Sequence, residues 1–284
     1  MKRAPVAVVT GASSGFGLLT SITLADLGFR VFATMRAIGR RDELDEAASR
    51  AGVDVDVVSL DVTDDRSVRE AVARIEAAAG GIDVLVNNAG IAVAGLFEDL
   101  DVLELREQLE TNVIGIVRTT QAVLPGMRAR RSGRIINVSS AGGKLPTPML
   151  SGYCGTKAAV DALSEALRIE TKPFGISVSV VAPGTFKTAI FAQNRRVARR
   201  ASDPESPFFD RNQRLERGVA RMLAQNHANP QDVADAVVRA ATDRRPSRYY
   251  RVGIDAHMGA IARALMPEAM YEWGLSRYFE SLAR

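Results

Sequence analysis

The residues of this sequence best suited to proton transfer are a tyrosine and a lysine four positions apart. Tyr153 and Lys157 lie at the start of a segment with helical periodicity, so they share one helix face about a turn apart. A phenol has a reference pKa of about 10 and exchanges protons near neutral pH only if a cation stabilises the phenolate. The spacing indicates a general acid or base beside its activating ammonium. A surface tyrosine packed on a lysine stem would give the same pattern.

A glycine-rich turn follows the first predicted strand directly. It runs from Thr10 to Gly17 as TGASSGFG. Glycines let the backbone turn sharply and approach a ligand, and the free N–H groups and dipole of the following helix favour a pyrophosphate. The turn therefore predicts dinucleotide binding, with a purely steric role of the glycines as the alternative.

The same stretch also fits the nucleophile turn of an α/β-hydrolase, because Gly11 to Gly15 reads G-x-S-x-G with Ser13 at its centre. A hydrolase needs strands and an oxyanion-hole loop before this turn, and only nine residues precede it. Its histidine is also hard to find, since His227 lies in a polar segment and His257 beside the last strand. A hydrolase with Ser13 as nucleophile is therefore the last of the functions considered.

Four motifs together resemble the short-chain dehydrogenase/reductase family. They are TGxxxGxG at 10–17, NNAG at 87–90, a serine thirteen residues before the tyrosine, and YxxxK at 153–157. The resemblance covers residues 4–190 closely and the rest loosely. The run FATMR at 32–36, the SSGFG of the turn and the C-terminal extension look most like the branch that contains 17β-hydroxysteroid and retinol dehydrogenases.

The resemblance implies four catalytic residues. Tyr153 would be the general acid or base, and Lys157 would lower its pKa and hold the nicotinamide ribose. Ser140 would hydrogen-bond the substrate oxygen, with Ser139 as the competing serine that strand alternation points elsewhere. Asn112 would bend its helix and anchor a relay water.

The resemblance also implies a set of nucleotide-binding residues at the turn and at later strand ends. Asp61 would meet the adenine, although it could instead only cap the next helix. The set comprises Gly11, Ser13, Ser14, Gly15, Phe16, Gly17, Arg36, Asp61, Val62, Asn88, Ala89, Gly90, Tyr153, Lys157, Pro183, Gly184 and Thr188.

The end of the second predicted strand indicates which nucleotide is bound. An NAD-selective member of this fold has an acidic residue there, which repels a 2′-phosphate. This chain has Met35 followed by Arg36, whose guanidinium can bind the phosphate. We therefore predict an NADP(H)-dependent oxidoreductase that interconverts an alcohol with a ketone or aldehyde. The alternatives are a solvent-exposed Arg36 that only ends the strand and, for function, a non-catalytic NADP(H)-binding regulator.

Short apolar runs rich in β-branched residues alternate with longer helical patterns, which predicts an α/β fold. Such strands are buried on both faces of a parallel sheet, and the order predicts a doubly wound Rossmann sheet of about seven strands with helices on both faces. The predicted strands are 6–9, 31–34, 53–60, 83–87, 134–139, 176–182 and 249–252. The predicted helices are 16–27, 40–50, 65–79, 99–129, 153–172 and 231–242. One domain spans 1–284.

Two stretches do not follow the alternation. Residues 186–228 are too long for a simple connection and predict a partly helical substrate lid. Residues 256–284 predict a helical extension with an apolar stripe of Tyr271, Leu275, Tyr278 and Leu282. The stripe is expected to pack on the lid or on a partner subunit, with association with a membrane surface as the alternative.

Three apolar segments converge on the predicted nicotinamide end, so a bulky, mostly apolar alcohol or carbonyl substrate is expected. They are Leu145, Pro146, Met149 and Leu150, then 91–97, then Phe186, Ile190 and Phe191. The lid arginines Arg195, Arg196, Arg199 and Arg200 are expected on a solvated helix face, with recognition of an acidic substrate group as the alternative.

Composition excludes several classes. The 37 basic and 33 acidic residues are interspersed, so no nucleic-acid surface is expected. A single cysteine, Cys154, excludes an internal disulfide and a cysteine-based zinc site, and no metal is expected. With no run of about 18 apolar residues and no signal peptide, we expect no membrane span and a cytoplasmic location. A homodimer or homotetramer that pairs the long helices is the default assembly.

Overall fold

A central parallel sheet of seven strands organises the computed structural model, which describes residues 3–187 and 195–283. The sheet order is β3-β2-β1-β4-β6-β7-β9, and every neighbouring pair is parallel. The predicted doubly wound sheet is confirmed. The strands in the described ranges are β1 (Val6–Thr10), β2 (Arg30–Met35), β3 (Asp56–Ser59), β4 (Val84–Asn87), β5 (Ala92–Ala94), β6 (Gly133–Val138), β7 (Ile176–Pro183), β8 (Arg195–Val197) and β9 (Tyr249–Val252).

Helices cover both faces of this sheet. One apolar core contains Leu24, Leu44 and Val237 of helices on one face, and a second contains Ile75 and Met127 on the other. The helices are α1 (Gly15–Asp26), α2 (Asp42–Ala51), α3 (Asp65–Ala79), α4 (Val102–Leu109), α5 (Gly115–Arg130), α6 (Ser151–Thr171), α7 (Phe209–Ala224), α8 (Gln231–Thr242), α9 (Ile254–Leu265) and α10 (Glu268–Leu282). Strand β1 contributes Ala7 and Val9 to the first core and its alternate residues to the second, as period-two alternation requires.

Two predicted elements differ from the structure by more than two residues at an end. The predicted helix 99–129 is two helices, α4 and α5, because a π-helical turn at Glu110–Ile114 interrupts it. The predicted strand 53–60 is shortened to β3. Among the described residues this edge strand pairs with β2 alone, from Asp56 opposite Phe32 to Ser59 opposite Met35.

The segment 195–224 contains a strand that the sequence did not reveal. Strand β8 pairs in parallel with β5 as a separate two-stranded sheet, and α7 follows. Three-residue strands show too little alternation to be recognised. The buried Asp99 ties the segment to the rest of the fold, because Ser206 Oγ donates to it at 2.7 Å and Asn212 Nδ2 at 2.6 Å.

The C-terminal extension is a pair of helices, α9 and α10, with Pro267 as the N-cap of α10. Leu275 and Leu282 of the predicted stripe join the buried Phe279 against Leu215 of α7. The stripe therefore packs on the predicted lid segment, the first of the alternatives. Among the described residues, none of the helices is long and apolar enough to cross a membrane.

Candidate active site

A cavity of about 730 Å³ lies at the carboxyl ends of the sheet strands. Ligands bind at this edge of doubly wound sheets, because the loops that follow the strands meet there. Most of the predicted site residues line this one cavity: Gly11, Ser13, Ser14, Gly15, Phe16, Arg36, Asp61, Val62, Asn88, Ala89, Gly90, Ser140, Tyr153, Lys157, Pro183 and Gly184. The topology thus brings together residues that are up to 173 positions apart, from Gly11 to Gly184.

Two of the predicted site residues that the structure describes do not line the cavity. Gly17 lies behind the turn, where a side chain would overlap the Gly11 carbonyl oxygen. Asn112 is fully buried beneath the cavity floor. Thr188 lies outside the described residues.

The glycine turn is held by the asparagine that follows β4. Gly11 has φ of +65°, and a Cβ there would lie 2.8 Å from Ala89 Cα, so the position requires glycine. Asn88 Nδ2 donates to the carbonyl oxygens of Thr10 at 2.9 Å and of Gly11 at 3.0 Å. Ser14, the N-cap of α1, makes no side-chain capping bond with the described residues. The first N–H groups of α1 remain available for a phosphate, which fits the predicted dinucleotide.

Two arginines lie at the end of the cavity below β2. Arg36 follows Met35, as the sequence predicts, and Arg40 lines the same region. Sequence reasoning missed Arg40, whose signal was a second basic residue four positions after the first. A short 3₁₀ turn at Ile38–Arg40 brings it back to the cavity. Two arginines therefore line one end of the cavity.

Asp61 is not the cap of the next helix, so that alternative is wrong. The N-cap of α3 is Asp64, whose carboxylate accepts from the backbone N–H groups of Arg66 and Ser67. Asp61 Oδ1 instead accepts from Thr63 N at 3.0 Å and from Thr63 Oγ1 at 2.8 Å. This local turn holds the carboxylate at the cavity wall.

Tyr153 and Lys157 lie together in the cavity wall on α6, and both are buried. Lys157 Nζ lies 5.6 Å from the Tyr153 ring centroid and donates to the Val138 carbonyl oxygen at 2.9 Å. Burial raises the pKa of Tyr153 above its ordinary value, and a hydrogen bond with the Ser140 hydroxyl opposes this rise. Burial lowers the pKa of Lys157 to about 8, and the Asp161 carboxylate opposes this fall.

The two serines after β6 point in different directions. Ser140 caps a 3₁₀ turn at 141–143, where its Oγ accepts from Gly142 N at 3.1 Å, and it lies beside Tyr153. Ser139 Oγ donates to the Lys157 carbonyl oxygen at 3.2 Å. Ser140 is thus the serine whose hydroxyl lies next to the phenol of Tyr153.

Asn112 connects three elements from its place in the π-helical turn. Its Oδ1 accepts from Ile91 N at 2.9 Å, and its Nδ2 donates to Ile91 O at 2.9 Å and to Thr156 Oγ1 at 3.0 Å. The side-chain amide is occupied by these bonds. Asn112 therefore fixes the loop after β4 against α6, and a relay water at this site stays a prediction.

Of the three predicted apolar segments, two reach the cavity. Ile91 and Phe186 line it, and Phe186 packs edge-on against Phe16 at 5.7 Å between ring centroids. Leu150 packs against Tyr153. Met149 turns away to Leu215 and Phe279. Ile190 and Phe191 lie outside the described residues.

The expectation of a solvated helix face is wrong for Arg195 and Arg196, whereas Arg199 and Arg200 are solvent-exposed at a short 3₁₀ helix, Arg200–Ser202. Arg195 and Arg196 lie in β8, because this strand finds a partner in β5. Arg195 makes a bidentate ion pair with Glu216, and Arg196 pairs with Glu107 at the cavity. The guanidinium groups of Arg195 and Arg196 are therefore already paired with carboxylates of the protein itself.

The hydrolase alternative lacks its base. Ser13 lines the cavity, but neither His227 nor His257 is among the residues around it, and His257 Nδ1 contacts the Gly253 carbonyl oxygen at 2.8 Å. Across residues 3–187 and 195–283, no cluster of three or more His, Cys, Asp or Glu side chains could hold a metal ion.

Known proteins match this chain over most of its length. A family model described as short chain dehydrogenase matches residues 5–198. The chain is 35% identical to human retinol dehydrogenase 8, covering 87% of this chain and 81% of the relative. It is 34% identical to human 17-beta-hydroxysteroid dehydrogenase type 1, covering 86% and 76%. Its fold resembles a crystal structure of actinorhodin polyketide ketoreductase with NADPH, with TM-score 0.75, 30% identity, and coverage of 89% and 97%.

The relatives agree with the predicted family and with the predicted branch of retinol and 17β-hydroxysteroid dehydrogenases. Proteins of this family are oxidoreductases that bind NAD(P)(H) and act on CH–OH groups. The motifs at 10–17, 87–90 and 153–157 all fall within the matched residues. This chain belongs to the short-chain dehydrogenase/reductase family.

Proposed function

We propose that this chain is an NADP(H)-dependent oxidoreductase that interconverts a bulky, mostly apolar alcohol with its ketone or aldehyde. The observation that carries the proposal is one continuous cavity. It extends from Arg36 and Arg40 past the glycine turn to Ser140, Tyr153 and Lys157. Phosphate-binding groups and proton-transfer groups therefore serve the same ligand site.

The choice of NADP(H) over NAD(H) rests on the end of β2. Met35 removes the carboxylate that would repel a 2′-phosphate, and Arg36 and Arg40 can bind that phosphate with charge-assisted bonds. Asp61 and Val62 lie beside them for the adenosine. The ketoreductase solved with NADPH supports this assignment by analogy.

The nicotinamide, when bound, supplies or accepts the hydride. The chain itself orients the substrate oxygen and moves the proton. During reduction, Ser140 Oγ donates a hydrogen bond to the carbonyl oxygen and Tyr153 Oη transfers its proton to that oxygen. The Lys157 ammonium stabilises the phenolate that remains. During oxidation, the Tyr153 phenolate takes the hydroxyl proton of the alcohol.

Apolar side chains near the phenol support a bulky substrate. Ile91 and Phe186 line the cavity, and Leu150 packs on Tyr153. The relatives are named for retinol and a hydroxysteroid, both large and apolar. The ion pairs of Arg195 and Arg196 favour a substrate without a required acidic group.

The outer face of α6 supports a homo-oligomer. Ala158, Ala162 and Ala166 are exposed at four-residue spacing, and the neighbouring Leu163 is 45% exposed. Small residues in a row allow a second copy to approach closely across a two-fold axis.

The free thiol of Cys154 agrees with the reducing cytoplasm predicted from the sequence.

A substrate screen tests the proposal. Ketones, aldehydes and alcohols of graded size are assayed with NADPH, NADP⁺, NADH and NAD⁺ by the absorbance of the reduced nicotinamide. We expect turnover with NADPH and a higher kcat/KM for decalin-sized than for acetone-sized ketones. Tight NADPH binding without turnover of any compound would favour the regulator instead. Equal kcat/KM for small and large ketones would contradict the bulky substrate.

A further inference from the structure

Asp161 is a buried carboxylate on the catalytic helix, outside the proposed proton-transfer set. It follows Lys157 by one turn and Tyr153 by two turns of α6, and it is 4% exposed. Aspartates are almost never buried to this extent unless they are paired, because removing a charge from water is costly. The position therefore calls for a partner.

The carboxylate is held between a loop and an edge strand. Tyr249 Oη of β9 donates to Asp161 Oδ2 at 3.2 Å, and Lys144 Nζ lies 3.8 Å from the same oxygen. Lys144 follows the 3₁₀ turn that Ser140 caps. Oδ1 is buried and has no hydrogen-bond partner among the described residues. Asp161 thus joins α6, the loop of the substrate-binding serine, and β9.

Lys157 is the second cation to consider, one helical turn from Asp161 and without a direct ion pair to it among the described residues. Lys157 is 2% exposed, and its Nζ donates to the neutral Val138 carbonyl oxygen. Burial favours the uncharged amine, and Asp161 is the carboxylate that opposes this effect. Asp161 is therefore a negative charge, outside the substrate cavity, that favours the protonated form of Lys157.

We propose that Asp161 is a positioning residue for the oxidoreductase proposed above, whose buried carboxylate, held by Tyr249 and Lys144, keeps Lys157 charged one helical turn away. The inference rests on that proposed function. Asp161 does not line the cavity, so it acts on substrate and nucleotide only through Lys157 and the serine loop.

The groups around the carboxylate determine the sign of the effect. Lys144 faces it from the serine loop, Lys157 from its own helix and Tyr249 from β9, while the Ser139 hydroxyl lies at the end of β6. Removing the negative charge favours proton loss from the Tyr153 and Lys157 pair as a unit. Carbonyl reduction needs the fully protonated pair. The alkaline limb of the pH profile of kcat/KM for reduction should therefore move to lower pH in a variant without this charge.

Lysine NMR of the intact protein tests this directly, because the chain has only five lysines. Samples labelled at the lysine Cε are titrated, and Lys157→Arg assigns the Lys157 signal. In Asp161→Asn we expect the pKa of Lys157 to fall by about one pH unit, and the alkaline limb of kcat/KM for reduction to fall with it. Asp161→Glu, which keeps the charge, should restore most of both.

Two further variants keep the test informative if Asp161→Asn does not fold, which circular dichroism would reveal. Lys144→Met removes an exposed positive charge beside Asp161, so the pKa of Lys157 should rise instead of fall. Glu165→Gln neutralises an exposed carboxylate on the next turn of α6, paired with Arg248, and should change neither readout. The proposal predicts these two different outcomes for two surface changes.

The result that overturns the proposal is a Lys157 titration that is the same in wild type and in folded Asp161→Asn. A Lys144→Met variant without any rise would contradict it as well. Neither result depends on turnover. By contrast, a wild type that reduces no carbonyl compound would contradict the proposed function while the NMR titration still measures the control of Lys157 by Asp161.

Discussion

The nucleotide region, residues 6–90, and the substrate region, 195–224 with α9 and α10, are assembled in different ways. In the nucleotide region, functional residues follow strands of one sheet, so Thr10 meets Asn88 because β1 pairs with β4. In the substrate region, outside the short β5–β8 pair, buried side chains join segments that lie far apart in the chain, as Asp99 does with Asn212, 113 positions later.

This difference shows which properties of the site depend on regular elements and which depend on tertiary contacts. The glycine turn, Arg36 and the Tyr153–Lys157 pair occupy positions that regular elements determine. The shape of the substrate end depends on contacts such as Leu215 with Phe279, which exist only once both segments have folded. Substitutions of Tyr153 or Lys157 should therefore change the chemistry, those in the nucleotide region should change nucleotide affinity, and those in the substrate region should change stability and substrate size selection.

The largest expected effect is the loss of the Tyr153 proton. Tyr153→Phe keeps the ring that packs against Leu150 and removes the hydroxyl. We expect kcat to fall by about 10²- to 10⁴-fold, the usual contribution of a general acid or base. Single-turnover kinetics with NADPH measures the chemical step.

Nucleotide affinity supplies the control for this variant. NADPH should bind Tyr153→Phe nearly as tightly as wild type, because the phosphates and the glycine turn are untouched. A variant that retained more than a third of the wild-type rate, with chemistry rate-limiting, would contradict proton transfer by Tyr153.

The sequence predicted the sheet and most of the nucleotide region because local rules decide them. Continuous β-branched runs such as 6–9 and 176–182 indicate buried parallel strands, and glycines with free N–H groups indicate a phosphate turn. Arg40 was missed because a 3₁₀ turn, not an element, returns it to the cavity.

The substrate region was predicted less well for a physical reason. The strand β8 has only three residues and depends on β5, which is 103 positions earlier. The arginines 195 and 196 were therefore placed on a helix that does not exist. The stripe on α10 was predicted from periodicity, but its partner Leu215 and the central Phe279 become visible only in the packed structure.

The second prediction tests the packing of the substrate region. Phe279→Ala removes a nearly buried ring that contacts Leu215 and Met149. Such a cavity should lower the free energy of unfolding by about 3 kcal/mol, the lower end for buried phenylalanine. Because Met149 belongs to the loop between Ser140 and Tyr153, we also expect a higher KM for large ketones. Chemical denaturation and steady-state kinetics measure the two effects.

Trp273→Ala is the matched control for this packing change. The indole is on the same helix but 69% exposed, so its removal should change the free energy of unfolding by no more than about 0.5 kcal/mol. NADPH affinity should stay the same in both variants. A Phe279→Ala protein with weakened NADPH binding and unchanged stability would contradict the separation of the two regions.

The third prediction concerns the arginines of the nucleotide region. Arg36→Ala should weaken NADPH binding by about 1.5 to 3 kcal/mol, the range for a hydrogen bond to a charged group, with little change for NADH. Arg40→Ala should act in the same direction. Isothermal titration gives the dissociation constants.

Arg41→Ala is the control for both arginines, because Arg41 pairs with Asp45 and does not line the cavity. This variant should bind NADPH and NADH as tightly as the wild type does. An Arg36→Ala variant weakened equally for NADPH and NADH would show that the guanidinium does not bind the 2′-phosphate.

The smallest expected effect concerns an ion pair between α4 and the substrate region. Glu107 of α4 and Arg196 of β8 form an ion pair at the cavity wall, and both side chains are about half exposed. Water and salt screen such a pair, so Glu107→Gln should change the free energy of unfolding by less than about 1 kcal/mol. The pair nevertheless connects β8 to α4 at the cavity wall. We therefore expect KM for large ketones to rise by no more than about fivefold, the equivalent of 1 kcal/mol, while kcat for small ketones stays unchanged.

Salt and a distant pair separate this effect from a general change in charge. In wild type, KM for large ketones should rise with ionic strength as the pair is screened, and Glu107→Gln should lose most of this dependence. Glu70→Gln breaks the exposed helix pair with Arg66 away from the cavity and should leave KM and its salt dependence unchanged. If Glu107→Gln and Glu70→Gln behaved alike, the ion pair of Arg196 would not influence substrate entry, and the substrate region would owe its shape to its apolar contacts and to Asp99 instead.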